Sequence, residues 1–221
     1  MPAISDKAHR AKLRFISAFF DDMEKKAAYL EELYRSKHRD EARILCSCYI
    51  DWLASALYWP NNQTNLNYVR SLRECSNEAI FLHIHPKMLI QAFAKLSGRG
   101  KKWATIHVKT LDVLSGAEKR LHGEEETMDM LAPKLDQAEL QDVKREIWRG
   151  TFASVVYDQF RVASVHAFGP PDSTTFDGTT FEDKPVPNID FFMVHDCLKK
   201  IIAAARRVSV ETGKWFGHDY K

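Results

Sequence analysis

Asp136–Phe168 reads DQAELQDVKREIWRGTFASVVYDQFRVASVHAF, and within it Leu140, Val143, Ile147, Trp148, Phe152, Val155, Val156, Phe160, Ala163 and Ala167 recur at helical spacing. Steps of three and four gather these side chains on one wide face of an α-helix. The spacing therefore predicts one long amphipathic helix. Asp136 with Glu139 forms a capping-box pattern at its start, and Gly169-Pro170-Pro171 stops it. A helix with so broad an apolar face buries it against other helices, which points to an all-α fold.

The same period extends outward from this stretch. From Ser5 to about Lys37, Leu13, Ile16, Phe19, Phe20, Met23, Ala27, Leu30, Leu33 and Tyr34 form a stripe on an extended N-terminal helix. Asp40 to about Tyr58 is apolar on more than one face, as expected of a central bundle helix, and Trp59-Pro60-Asn61-Asn62 turns the chain after it. Asn65 to about Arg73 and Glu78–Leu96 read as shorter helices. Phe81–His85 alternates as a strand would, and Pro86 equally suits a helix start. After the basic turn Ser97–Lys102, Trp103, Ile106, Val108, Leu111, Val113 and Leu114 predict another helix, ending near Ser115-Gly116 or near Leu121-His122-Gly123.

Residues 169–189 are rich in Pro, Asp, Thr and Gly and read as an irregular loop. Its length for a connection within a domain makes it either mobile or functionally placed. A last helix follows, with Asp190 as N-cap and Gly213 past its end. The expectation is a single helical domain over 1–221, a bundle of long antiparallel core helices with the irregular loop before the last one.

Composition narrows the class. The chain has 221 residues, 45% of them hydrophobic, enough for a substantial core. No apolar run is long enough to span a bilayer, and the first residues lead into charged amphipathic sequence, so a cytoplasmic protein with no membrane partner is expected. A formal charge of +2 does not announce a nucleic-acid partner, so any RNA contact rests on local basic patches. Cys46, Cys48, Cys75 and Cys197 read as small hydrophobes. Cys46 and Cys48 diverge by about 200° on a helix, which argues against a shared metal. Phosphate-binding glycine loops, dinucleotide fingerprints, zinc-protease motifs and nucleophile elbows are absent.

Chemistry concentrates at Arg161-Val-Ala-Ser-Val-His166. Five α-helical residues turn by about 140°, so the two side chains share one broad side. A guanidinium offers a fork of donors for a phosphate or for the charge that grows on it during attack. An imidazole passes a proton to or from a ribose hydroxyl or leaving oxygen. Asp158, three residues before Arg161, stands where it can hold that arginine in its working rotamer or form an ordinary intrahelical ion pair.

This segment resembles the HEPN superfamily, in which an Arg, four to six intervening residues and a His lie on a late core helix. The apolar stretch Ile44–Leu53 and the final helix from Asp190 to Val210 are similar as well. The resemblance implies an all-helical, usually homodimeric protein and a metal-independent ribonuclease of toxin-antitoxin or defence type. No cofactor is implied, and an antitoxin or other regulatory protein is a possible partner. Arg161 and His166 would carry the reaction, with their counterparts across a two-fold axis completing the cleft. Two positions depart from the family pattern. Val162 replaces the polar residue that often follows the Arg, and Phe168 stands where one toxin group has a modifiable tyrosine. The other reading is a catalytically inactive module that binds RNA, a nucleotide or a protein.

Arg99, Lys101 and Lys102, followed by Trp103, and Arg206 with Arg207 are the candidate RNA-binding groups. His83 and His85 lack the further ligands of a metal site, and His195-Asp196 is a secondary candidate. Trp52, Trp148 and the Phe19-Phe20 pair read as core.

Overall fold

The computed structural model describes residues 6–167, 176 and 178–218, with side chains for 7–162, 176 and 178–218. It is an all-α helical bundle. Its chain divides into two compact units, the first formed by 1–77, 160–171 and 189–221, the second by 78–159 and 172–188.

In the first unit, α1 (Asp6–Arg35), α2 (Arg39–Leu57), α3 (Thr64–Cys75) and α9 (Phe191–Thr212) pack together. Ile16, Phe20, Met23, Ala27 and Leu30 of α1 are buried, at alternating steps of four and three. They meet a core that includes Ile50 and Leu53 of α2, Tyr68 and Leu72 of α3, and Val194, Leu198 and Ile201 of α9. Burial of each large apolar side chain stabilises by about 1.5–3 kcal/mol. α1 and α9 run antiparallel, because Tyr34 stacks on Phe191 at 4.2 Å while His9 lies against Gly213 at the opposite end. The Asp190 carboxylate accepts the Met193 N–H at 2.8 Å, capping α9, and Gly213 ends it at φ 63°, a conformation that costs glycine little.

The second unit contains α4 (Pro86–Ser97), α5 (Lys101–Leu114), α6 (Glu124–Leu131), α7 (Gln137–Glu146) and the short α8 (Phe152–Val156). Leu89, Phe93, Ile106, Leu114, Leu131, Val143 and Ile147 share its core. The alternating Phe81–His85 stretch becomes a 3-10 turn at Ala79–Leu82 followed by single bridges from Ile84 to His122 and Thr151, after which Pro86 opens α4. Glu124–Leu131, whose acidic run had no assigned structure in the sequence reading, is helical. Three glutamates in the first turn complement the positive end of that helix.

The long helix expected from Asp136 to Phe168 is broken. The capping box at Asp136 and Glu139 is present, but α7 ends at Glu146 and a 3-10 turn covers Ile147–Gly150. Thr151 is extended and caps α8, and a π-helical segment then runs over Tyr157–Ala167. The break follows from close packing: a Cβ on Gly150 would lie 2.6 Å from the Leu89 Cβ. Within 169–189, the described residues include a small antiparallel hairpin, β1 (Thr180–Phe181) and β2 (Lys184–Pro185), where an irregular loop was expected.

Candidate functional site

Arg161 follows Phe160, which is wholly buried in the first unit. Its Nε donates to Asp51 Oδ2 at 2.7 Å, and the two side chains are 18% and 16% exposed. Asp51 projects from α2 between the buried Ile50 and Leu53. Burial raises the Asp51 carboxyl above the usual carboxylate range, while the hydrogen bond and charge of Arg161 pull it back. Cys48, one turn earlier, is exposed rather than one of the buried hydrophobes the sequence suggested. Burial, then Asp51, raises its thiol, and Arg161 opposes them. Deeper in the unit, the buried Tyr68 hydroxyl is raised by burial and by the nearby Cys46, Asp51 and Cys197, with a Ser47 hydrogen bond acting against them.

Asp51 was missed in the sequence reading, although one signal pointed to it. It is the sole charged residue between Arg43 and Arg70. An acid inside so apolar a helix needs a partner. Asp158, assigned to Arg161 by its spacing, belongs to the second unit. There the protein crowding its carboxylate raises its pKa, and Lys95 and Arg149 draw it down.

Arg161 and His166 lie on the π-helical segment. Hydrogen bonds in a π-helix join residue i to i+5, so the two backbone positions stand one turn apart instead of diverging as on an α-helix. Short π segments occur frequently at functional sites. The His166 side chain and Phe168 lie outside the described residues. Val162 is half-buried.

The basic candidates are distributed over both units. In the second, Arg99 and Lys101 are exposed, while Lys102 forms an ion pair with the buried Asp142, which Arg145 also contacts. Trp103 packs on Phe93 with centroids 5.5 Å apart. In the first, Arg206 is held by Asp21 and Glu24, each at 2.9 Å, and Arg207 is exposed. Lys199 and Lys200 both pair with Asp196.

His195 and His85 are buried and have structural roles. His195 is buried, bonds through Nε2 to the Ala27 carbonyl at 2.7 Å and stacks on Phe191. His85 is buried beside Phe176, and its Nε2 is 3.4 Å from the Thr179 hydroxyl. Among the described residues no group of three or more His, Cys, Asp or Glu could hold a metal ion, and no helix is long and apolar enough to cross a membrane. Compared with protein-family models, curated proteins and solved structures, the chain finds no match.

Proposed function

We propose that the chain is a HEPN-like, metal-independent endoribonuclease of toxin-antitoxin or defence type, with Arg161 and His166 as its principal pair. The observation that carries this reading is the 2.7 Å bond from Arg161 to Asp51. It joins the motif helix to the Ile44–Leu53 stretch, two of the three parts of the sequence on which the resemblance rests. Asp51 fixes the direction of the guanidinium at a partly exposed position, which is the preorganisation that phosphate recognition requires.

In this mechanism His166 takes the proton of a ribose 2′-hydroxyl as its oxygen attacks the adjacent phosphorus. Arg161 stabilises the charge that accumulates on the phosphate oxygens, the 5′-oxygen leaves with a proton taken from water, and the imidazolium returns its own proton to the solvent. The products are a cyclic phosphate and a 5′-hydroxyl. Two copies pairing their motif helices would double the cations in one cleft, and an antitoxin or other regulatory protein would act by covering it.

Incubating the purified chain with an RNA pool in EDTA tests the reading. Cleavage is expected, and His166→Ala should lower it by about 10²–10⁴-fold while the far-ultraviolet spectrum stays unchanged. A purified dimer that cuts no RNA in the pool ends the proposal.

A second reading, a catalytically inactive RNA-, nucleotide- or protein-binding module, is favoured by the charge of Asp51, which offsets that of Arg161, and by Val162. Salt-sensitive RNA binding that persists in His166→Ala without product from either protein selects it.

A further inference from the structure

The first unit carries a surface that the motif does not use. Along the first half of α1, between Asp6 and Asp21, stand Lys7, Arg10, Lys12 and Arg14 with no acidic residue among them. All four are exposed. Ala8, Ala11, Lys12, Phe15, Ala18 and Phe19, with Trp215, line an open groove of about 750 Å³. Phe15 is 72% exposed, far more than a core aromatic.

Behind Phe15 the groove wall is aromatic. Phe19 meets Trp215 edge-on at 5.3 Å and Trp52 at 5.7 Å, and Trp52 meets Phe216 at 5.6 Å. Trp52, read from sequence as core, is 46% exposed. On the helix surface Lys12 borders Phe15 on one side and Lys7 with Arg14 flank the groove on the other, while the alanines leave the floor low. The exposed His9 ring lies close to Gly213, so this part of α1 runs beside the end of α9.

The geometry points to a binding groove for single-stranded nucleic acid, in which Phe15 and Trp215 stack bases and the cations of α1 follow the phosphates. Sequence-tolerant strand binding combines these two elements, aromatic faces and a basic track. Other occupants fit less well. A bilayer-seeking helix presents a continuous large apolar stripe, whereas this face has alanines at Ala8, Ala11 and Ala18. A second copy related by a two-fold axis at Phe15 would bring Lys12 and Arg14 against their own counterparts. The ligand being RNA rests on the nuclease reading above; the grip on a single strand does not.

Anisotropy of a labelled oligothymidine of about twelve nucleotides, within the length such a groove tracks, separates the two. It lacks the 2′-hydroxyl and resists cleavage by the proposed mechanism, so binding is read even from a chain that cleaves nothing. The oligomer should bind more tightly than a duplex of equal length. Phe15→Ala should weaken binding about ten-fold with little change in salt dependence. The double variant Lys12→Gln with Arg14→Gln should lower the slope of log affinity against log salt by about 1.4. Lys37→Gln, at an exposed cation just past the far end of α1, should leave both unchanged.

Phe15 contributes little to the core, so melting temperature should stay constant. A changed melting point is controlled by the charge variant, whose side chains are exposed. No binding of the oligomer, equal affinity for the duplex, or Phe15→Ala binding at full strength overturns the proposal. Co-sedimentation with phosphatidylserine vesicles in place of oligomer binding reassigns the groove to a lipid surface. A dimer that Phe15→Ala converts to monomer, with oligomer affinity unchanged, reassigns it to self-association.

Discussion

At its buried position beside Phe176, His85 is held neutral: burial first, then the charges of Lys87 and His122, lowers its pKa to about 4. An unfolded chain binds that proton near pH 6.5. Between about pH 6.5 and 4 the unfolded state therefore holds more protons, and folding stability falls as the medium is acidified. The full effect is roughly 3 kcal/mol at most. Urea midpoints measured across this window should decline for the native chain, and His85→Gln should flatten the decline. Asp51 has the opposite sign, because burial raises its pKa, so this group favours the folded state at low pH and loses that contribution as the pH rises through its folded pKa. Asp51→Ala leaves the Arg161 guanidinium without this counter-charge. A loss of about 1–3 kcal/mol, read by denaturant unfolding, is expected. Residues whose role is local were legible in sequence: Asp136 and Asp190 cap helices, and Gly213 ends one. The Asp51 partnership was not, since helical spacing says which residues share a face and nothing about which side chain a distant segment brings opposite.

For the helices, period and punctuation gave α1, α2 and α9 to within a few residues, because each has a clear stripe and a recognisable stop, while α5 had two candidate stops, of which the structure uses the nearer. The same reasoning ran α7, α8 and the π segment together, since their apolar period continues through Trp148-Arg149-Gly150-Thr151 without interruption. What interrupts it is tertiary. The Gly150 carbonyl accepts the His85 N–H at 2.9 Å, and Leu89 occupies the space where a side chain would stand. Gly150→Ala must push Leu89 aside or shift the backbone, and a loss of about 1–3 kcal/mol in calorimetry or urea unfolding is the expected result. Unchanged stability would mean that this contact gives way easily. The wider winding at Tyr157–Ala167 was invisible for a related reason, as a π-helix has no sequence period distinct enough to compete with an α-helical pattern.

Taken as a whole, the chain builds each compact unit from separated segments. The first unit needs α9 to cover α1 and α2, so the apolar faces of residues 1–77 have no complete core of their own. A fragment ending at Asn77 should show weak helicity by circular dichroism and rapid proteolysis, whereas adding back 189–221 in trans should raise helicity. Failure of the two fragments to associate would count against α9 as the missing partner. This discontinuity was beyond sequence reading, which found no linker and therefore treated 1–221 as one domain; nothing in spacing or composition announces that α1 waits for the last helix. The candidate site divides in the same way: the motif was legible as residue chemistry, while its Asp51 anchor and the aromatic groove depend on segments brought together only by folding.

The contact of His9 with Gly213 has a practical corollary for protein engineering. Because α1 and α9 meet there, a short peptide joining residue 6 to residue 218 should permit a circular permutant opened in the turn at the exposed Asn62, with the same packing reached from a different starting point.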